Sequence, residues 1–182
     1  MKRFLKLIGV CLVFSVVLSG CGKETGGQPS ENEQQKVSSS LNQGFDAKAT
    51  IKMGEIEAEA DINRTKEGVC TVKLTSPKGL SGMTFSFDQQ NVTVSYMGLS
   101  LELDNDSVLT SSMTKAVVAS INMAAEPHGV SMALEGEALV IKGTTESGDF
   151  TLKLDRSNYS VLTLSIPNLD LECNFNPFSY QE

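Results

Sequence analysis

From Phe45 onward, apolar and polar residues take turns: Phe45, Ala47, Ala49, Ile51 and Met53 alternate with Asp46, Lys48, Thr50 and Lys52. A period of two sends successive side chains to opposite faces of an extended backbone, so this stretch predicts a strand with one dry and one wet face. Gly54 turns the chain, and Ile56, Ala58, Ala60 and Ile62 repeat the pattern against Glu55, Glu57, Glu59 and Asp61. The acidic row is the wet face of a hairpin. Carboxylates on alternate residues splay along a line, whereas a calcium site needs oxygens that converge. Further alternating runs follow at Cys70 to Leu74, Met83 to Phe87, Val92 to Tyr96, Leu99 to Leu103, Val130 to Leu134, Leu139 to Lys142, Phe150 to Leu154, Tyr159 to Ile166 and Leu169 to Phe175. They bring the count to about eleven strands. The links between them are too short for parallel crossovers, so the strands pair antiparallel, and a sheet this wide must curl or split.

The period changes once. Leu109, Met113, Val117 and Ile121 recur every fourth residue, flanked by Ala116, Ser120 and Ala124, with Asp106 or Ser107 as the cap and Glu126-Pro127-His128-Gly129 as the stop. This predicts a helix running to about Ala124 with one apolar stripe. The dry face of the sheet is its natural destination. The expected fold is therefore mainly β: a strongly curved antiparallel sheet, an unclosed half-barrel of about eleven strands, with one central helix packed on the concave face.

The start of the chain reads differently. Lys2, Arg3 and Lys6 precede an apolar run from Leu7 to Leu18, broken by Gly9 and Ser15, which is the pattern of a secretory signal and too short to span a bilayer comfortably. Leu18-Ser19-Gly20-Cys21 resembles the bacterial lipobox, which implies cleavage before Cys21 and a diacylglyceryl group on its sulfur. Two acyl chains give a stable anchor where one does not. Gly22 to Asn42 is rich in Gly, Gln, Glu, Ser and Lys, a composition that reads as a flexible tether. The expected organisation is a signal at 1–20, a lipidated cysteine and tether at 21–42, and one β domain at 43–182. The protein is then extracytoplasmic, lipid-anchored to the outer face of the cell membrane.

Charge narrows the partners. The chain has 15 Lys plus Arg against 22 Asp plus Glu, a net charge of −7. Loss of Lys2, Arg3 and Lys6 with the signal leaves 12 against 22, or −10. Nucleic acid and anionic headgroups, which are bound through clustered positive charge, are poor partners for such a chain.

Catalytic signatures are missing from the pattern. His128 is the single histidine and sits in a helix-ending loop; no G-x-S-x-G elbow, zinc-ligand spacing or phosphate-cradling Gly-rich loop occurs. The expectation is a non-enzymatic protein without cofactor or metal. Once Cys11 leaves with the signal and Cys21 carries lipid, Cys70 and Cys173 remain, both on inward positions of their strands. They are either a disulfide pair or two buried thiols. The dry face combines Ala47, Ala49, Ala58 and Ala60 with Met83, Phe85, Leu109, Met113, Val117 and Ile121, the candidates for lining an apolar groove. Small residues leave room for a ligand or admit a closely docked helix, and both readings stand.

Ser76-Pro77-x-x-Leu80-x-Gly82-Met83-x-Phe85-x-Phe87, followed by Val92-x-Val94 and Gly98-Leu99, resembles the strand-turn-strand run before the central helix in the LolA/LolB-like family and its small lipoprotein relatives, GerS-type members among them. The resemblance implies an unclosed, strongly curved barrel with helical cover over a hydrophobic concavity, which in carriers receives acyl chains. Two functions follow: a lipoprotein that holds an acyl chain or other apolar ligand between sheet and helix, or an adaptor or chaperone with a packed core that binds another envelope protein.

Overall fold

The computed structural model describes residues 27–181 except 89, 109–111 and 127. The expected signal and the lipidated Cys21 lie outside the described residues, as does Leu109. Eleven strands form one antiparallel sheet: β1 (Phe45–Met53), β2 (Ile56–Arg64), β3 (Cys70–Ser76), β4 (Thr84–Phe87), β5 (Asn91–Tyr96), β6 (Leu99–Asp104), β7 (Val130–Glu135), β8 (Ala138–Thr145), β9 (Gly148–Asp155), β10 (Val161–Ile166) and β11 (Leu171–Tyr180). Their spatial order is β6-β5-β4-β3-β2-β1-β11-β10-β9-β8-β7. The chain thus steps outward from β1 to one edge at β6, crosses to the opposite edge at β7, and steps back until β11 pairs with β1. Because β6 and β7 are the two terminal strands and do not pair with each other, the barrel is unclosed, and the crossing segment traverses the concave face. That segment carries helix α2 (Met113–Ala125).

Alternation sets burial as the sequence implied. Along β1, Phe45, Ala47, Ala49 and Ile51 are buried while Asp46, Lys48, Thr50 and Lys52 are exposed. Helix α2 starts later than expected. Asn105–Ser107 forms a 3-10 turn, and the Lys115 ammonium donates to the carbonyls of Asn105 (2.8 Å) and Val108 (3.0 Å), so Asp106 and Ser107 do not cap the α-helix. Its buried face is broader than the predicted stripe and includes Ala116, Val117, Val118, Ser120, Ile121, Ala124 and Ala125.

The expected flexible tether is corrected over half its length, and the single-helix expectation with it. Glu31–Asn42 is a second helix, α1, which packs on α2. Ser30 caps it by accepting a hydrogen bond from the Glu33 backbone N–H (3.2 Å), and Glu31 and Glu33 place negative charge in the first turn, where the helix dipole favours it. Val37 and Leu41, one turn apart, are fully buried. Ser38 Oγ and Asn42 Nδ2 both donate to the Ala125 carbonyl at the end of α2, at 2.5 and 3.1 Å. Glu33 also pairs with Arg156 at 3.1 Å, beyond β9. Two apolar contacts with several polar ones repay the ordering entropy that composition alone makes forbidding.

Candidate functional site

Cross-strand partners share a face of a sheet, so the register traces rows of side chains across the concavity. One row runs from β6 to β1 through Leu101, Val94, Phe85, Val72, Ile62 and Ala47. Its burial changes sharply along the way. Ala47, Ile62 and Val72 are buried, Phe85 and Val94 are half-buried, and Leu101 is 59% exposed. Beside it, Tyr96 is half-buried and Leu99 is 78% exposed. Helix α2 packs against β8 and β9, the other side of the concavity, which is why cover fails toward β6. The result is an apolar wing formed by β4, β5 and β6, with Met83 at its base and Met97, 83% exposed, at its tip.

The groove candidates divide between two regions. Ala47, Ala49, Ala58, Ala60, Val117 and Ile121 are all buried within one continuous core that includes Val37 and Leu41 of α1. Met83, Phe85 and Met113 are half-buried at the margin of that core. Met97, Leu99 and Leu101 are not among the sequence candidates. Their alternation is indistinguishable from that of buried strands, and what exposes them is the position of β6 at the sheet edge.

Arg64 is the other residue that pattern reading passes over. It continues the inward parity of Ala58, Ala60 and Ile62, and it is 5% exposed. Its guanidinium donates to the Leu41 carbonyl (3.0 Å), Asn42 Oδ1 (3.1 Å) and Asn122 Oδ1 (3.3 Å), so one side chain of the sheet clasps the last turn of α1 and the side of α2. Burial lowers the arginine pKa from its ordinary value, and the nearby Cys70 and Glu126 oppose that shift. The cation also faces the carbonyl end of α1, where the helix dipole stabilises positive charge.

Cys70 and Cys173 both point into the core, as the pattern indicated, but they are free thiols. Cys70 lies on β3 and Cys173 on β11, with β2 and β1 between them. Three strand spacings of about 4.8 Å put them well beyond disulfide reach. The register separates them lengthwise too: Cys70 aligns with Arg64, and through Phe45 with Tyr180, at the far end of β11 from Cys173. Desolvation pushes the Cys70 thiol up to about 12 and raises that of Cys173 as well. Neither is a nucleophile at physiological pH.

His128 is exposed in the loop after α2. Among the described residues, no three His, Cys, Asp or Glu side chains form a metal-holding group, and no helix is long and apolar enough to cross a membrane. A cavity of about 420 Å³ beside α2 combines the polar residues Asp106, Lys115, Asn122 and Glu126 with apolar surface that includes Ala119 and Met123, and it lies apart from the wing.

The architecture defines a class: an unclosed antiparallel half-barrel with helices on its concave face. Neither a family model nor a curated protein matches the chain. Among solved structures, an uncharacterized conserved protein from Thermus thermophilus has a TM-score of 0.55 at 13% identity, covering 83% of this chain and 86% of that one. This likeness is one of fold. A chain of the Clostridioides difficile CwlD amidase complex with the GerS lipoprotein has a TM-score of 0.49 at 14% identity, covering 85% and 98%. The LolA superfamily protein NE2245 from Nitrosomonas europaea has a TM-score of 0.43 at 8% identity, covering 82% and 94%.

Proposed function

We propose that this chain is a non-enzymatic lipoprotein, anchored through Cys21 to the outer face of the cell membrane, that binds an acyl chain or other apolar ligand on its concave face. The observation that carries this reading is the row in which burial fails from Val72 outward to Leu101. Apolar side chains that face a concavity without cover lose free energy to water, and an apolar occupant recovers it at about 25 cal/mol per Å² removed from solvent. The groove is displaced from the place the alanines marked. It lies on the wing formed by β4, β5 and β6, where Phe85 shares a face with Leu99 and Leu101 across β5, and the space beneath α2 belongs to the packed core.

Native mass spectrometry of the mildly extracted protein, with displacement of a fluorescent fatty acid, tests the ligand. Phe85→Ala removes a half-buried ring from the wing and is expected to weaken fatty-acid binding by roughly tenfold, the equivalent of about 1.4 kcal/mol. Leu162→Ala, on an exposed position of β10, should leave it unchanged. Fatty acid that binds neither protein would sink the ligand reading. Anchoring has its own readout: Cys21→Ser should release the protein from membranes or leave an uncleaved precursor, and a mature, membrane-bound mutant would contradict it.

A second reading is an adaptor or chaperone for another envelope protein. It is favoured by the tight burial of Ala47, Ala49, Ala58 and Ala60, which is the packed core that reading requires. A stoichiometric protein recovered in place of lipid in the same mass spectrum would select it.

A further inference from the structure

The geometry points to a second copy of this chain as the partner of the outer edge of β6, the two β6 strands pairing antiparallel about a two-fold axis at Leu101. This inference goes beyond ligand binding and holds whether or not the wing carries an apolar molecule.

The two edges of the sheet are treated differently. On β7 the Leu134 N–H donates to the Gly27 carbonyl at 2.9 Å, so the chain leading into α1 covers part of that edge. On β6 the sequence Leu-Ser-Leu-Glu-Leu-Asp has no lysine and no proline, and its register with β5 runs without a break from Asn91↔Asp104 to Tyr96↔Leu99. Charged side chains, lysine above all, proline and bulges are the usual devices that keep an exposed edge from pairing; β6 has no lysine, proline or bulge, and its charges are the two acids Glu102 and Asp104.

The turn before β6 decides which of its backbone groups are free. Met97 and Gly98 both have positive φ, 50° and 82°, which makes a two-residue turn of the kind that closes a tight hairpin. Tyr96 and Leu99 are then a hydrogen-bonded pair, and the antiparallel alternation gives Leu99, Leu101 and Leu103 to β5. Ser100, Glu102 and Asp104 aim their N–H and C=O groups outward, and all three residues are exposed.

A second β6 strand must match these outward residues with its own. With the axis at Leu101, Ser100 faces Glu102 of the other copy, Asp104 faces Gly98, and Leu101 faces itself. No acid opposes an acid. An axis at Glu102 sets two glutamates against each other, and one at Leu103 sets Glu102 against Asp104, arrangements that like-charge repulsion disfavours. An axis at Ser100 avoids repulsion but shortens the overlap. For a chain of net charge −7, contacts between copies tend to be repulsive, and this register is the long one that sets no acid directly opposite another, leaving only a diagonal approach of the two Glu102 side chains. It also places Leu99 beside Leu103 of the other copy, on the concave face, and joins the two apolar wings into one trough.

Sedimentation of the full chain in detergent should report twice the monomer mass. Ser100→Pro deletes an outward N–H and no backbone bond to β5, losing only the exposed hydroxyl contact of Ser100 with Ser95 (3.1 Å), and edge strands tolerate proline there, so this variant should sediment as a monomer with a melting temperature close to the parent's. Leu101→Cys should form a covalent dimer under mild oxidation, well above the level of the parent chain with its own cysteines. A non-hydrogen-bonded pair on the axis brings the two Cα atoms to about 4.5 Å, inside disulfide range. Leu99→Cys, displaced from the axis, should not. A parent chain that is monomeric throughout the concentration range overturns the inference, as does Leu99→Cys cross-linking as readily as Leu101→Cys. Cross-linking of Leu101→Cys to a different protein in the membrane, in place of itself, overturns it too.

Discussion

Arg64→Ala is expected to lower the unfolding free energy by about 2 to 3 kcal/mol and to open α1 to protease. Two effects oppose each other. The guanidinium is desolvated, as its lowered pKa reflects, and removing it relieves that cost. Against this, three acceptors lose a charged donor, and they do not recover equally. Asn42 and Asn122 are exposed and can turn to water, whereas the Leu41 carbonyl belongs to a fully buried residue and cannot. An orphaned buried carbonyl costs about 1 to 3 kcal/mol by itself, and alanine leaves the volume of the arginine stem unfilled as well. Loss therefore wins. Arg64→Met keeps most of the stem and removes only the donors, so the difference between the two variants separates packing from hydrogen bonding. The measurements are the denaturant midpoint and the rate of cleavage within Glu31–Asn42. Unchanged cleavage in both variants would show that Val37 and Leu41 hold α1 without the clasp.

Arg64 also shows where sequence reading stops. Its position is legible, because it is the next inward site after Ile62, but a charge at an inward site gives no indication of what it meets. The partner is α1, and α1 reads as tether because its composition is almost wholly polar. The signals for it are present. Ser30 followed by Glu33 is a capping-box spacing, and Val37 with Leu41 is the shortest apolar stripe a helix can have. Two apolar residues do not outweigh composition until a receiving surface is known. That surface, Arg64 with the end of α2, is assembled from parts of the chain far from α1.

The strands are legible because period two is a local property. The antiparallel order follows from short links, and the curvature from the strand number. Cover is not local. Val72 and Leu101 sit in equivalent alternating runs and occupy the same row, yet Val72 is fully buried and Leu101 is 59% exposed. The difference arises because α2 settles toward β8 and β9. The alanines on β1 and β2 are buried, and the open apolar surface lies on the wing. Cys70 and Cys173 teach the same lesson: facing inward is written in the alternation, and meeting is a matter of topology.

Ile121→Ala is expected to cost about 2 to 5 kcal/mol, among the largest losses from a single truncation in this chain. Ile121 is fully buried near the middle of α2, the one helix that links the two edges of the sheet. Its removal leaves a void that the neighbours close incompletely. Val117 and Ala124, on the same face, are themselves fully buried with little freedom to move. The reverse change tests the same region from the other side: Ala60→Phe, at a site 2% exposed, should overpack it and cost about 1 to 3 kcal/mol. Urea midpoints measured with and without saturating fatty acid then distinguish a filled core from a ligand chamber. In a filled core separate from the wing, fatty acid stabilises the parent and Ile121→Ala by the same increment, since linkage depends on ligand affinity and the wing is untouched. A chamber beneath α2 would behave otherwise: Ala60→Phe would hold or raise stability while abolishing binding, and Ile121→Ala would bind fatty acid more tightly than the parent. Either result would move the binding site from the wing formed by β4, β5 and β6 to the space under the helix.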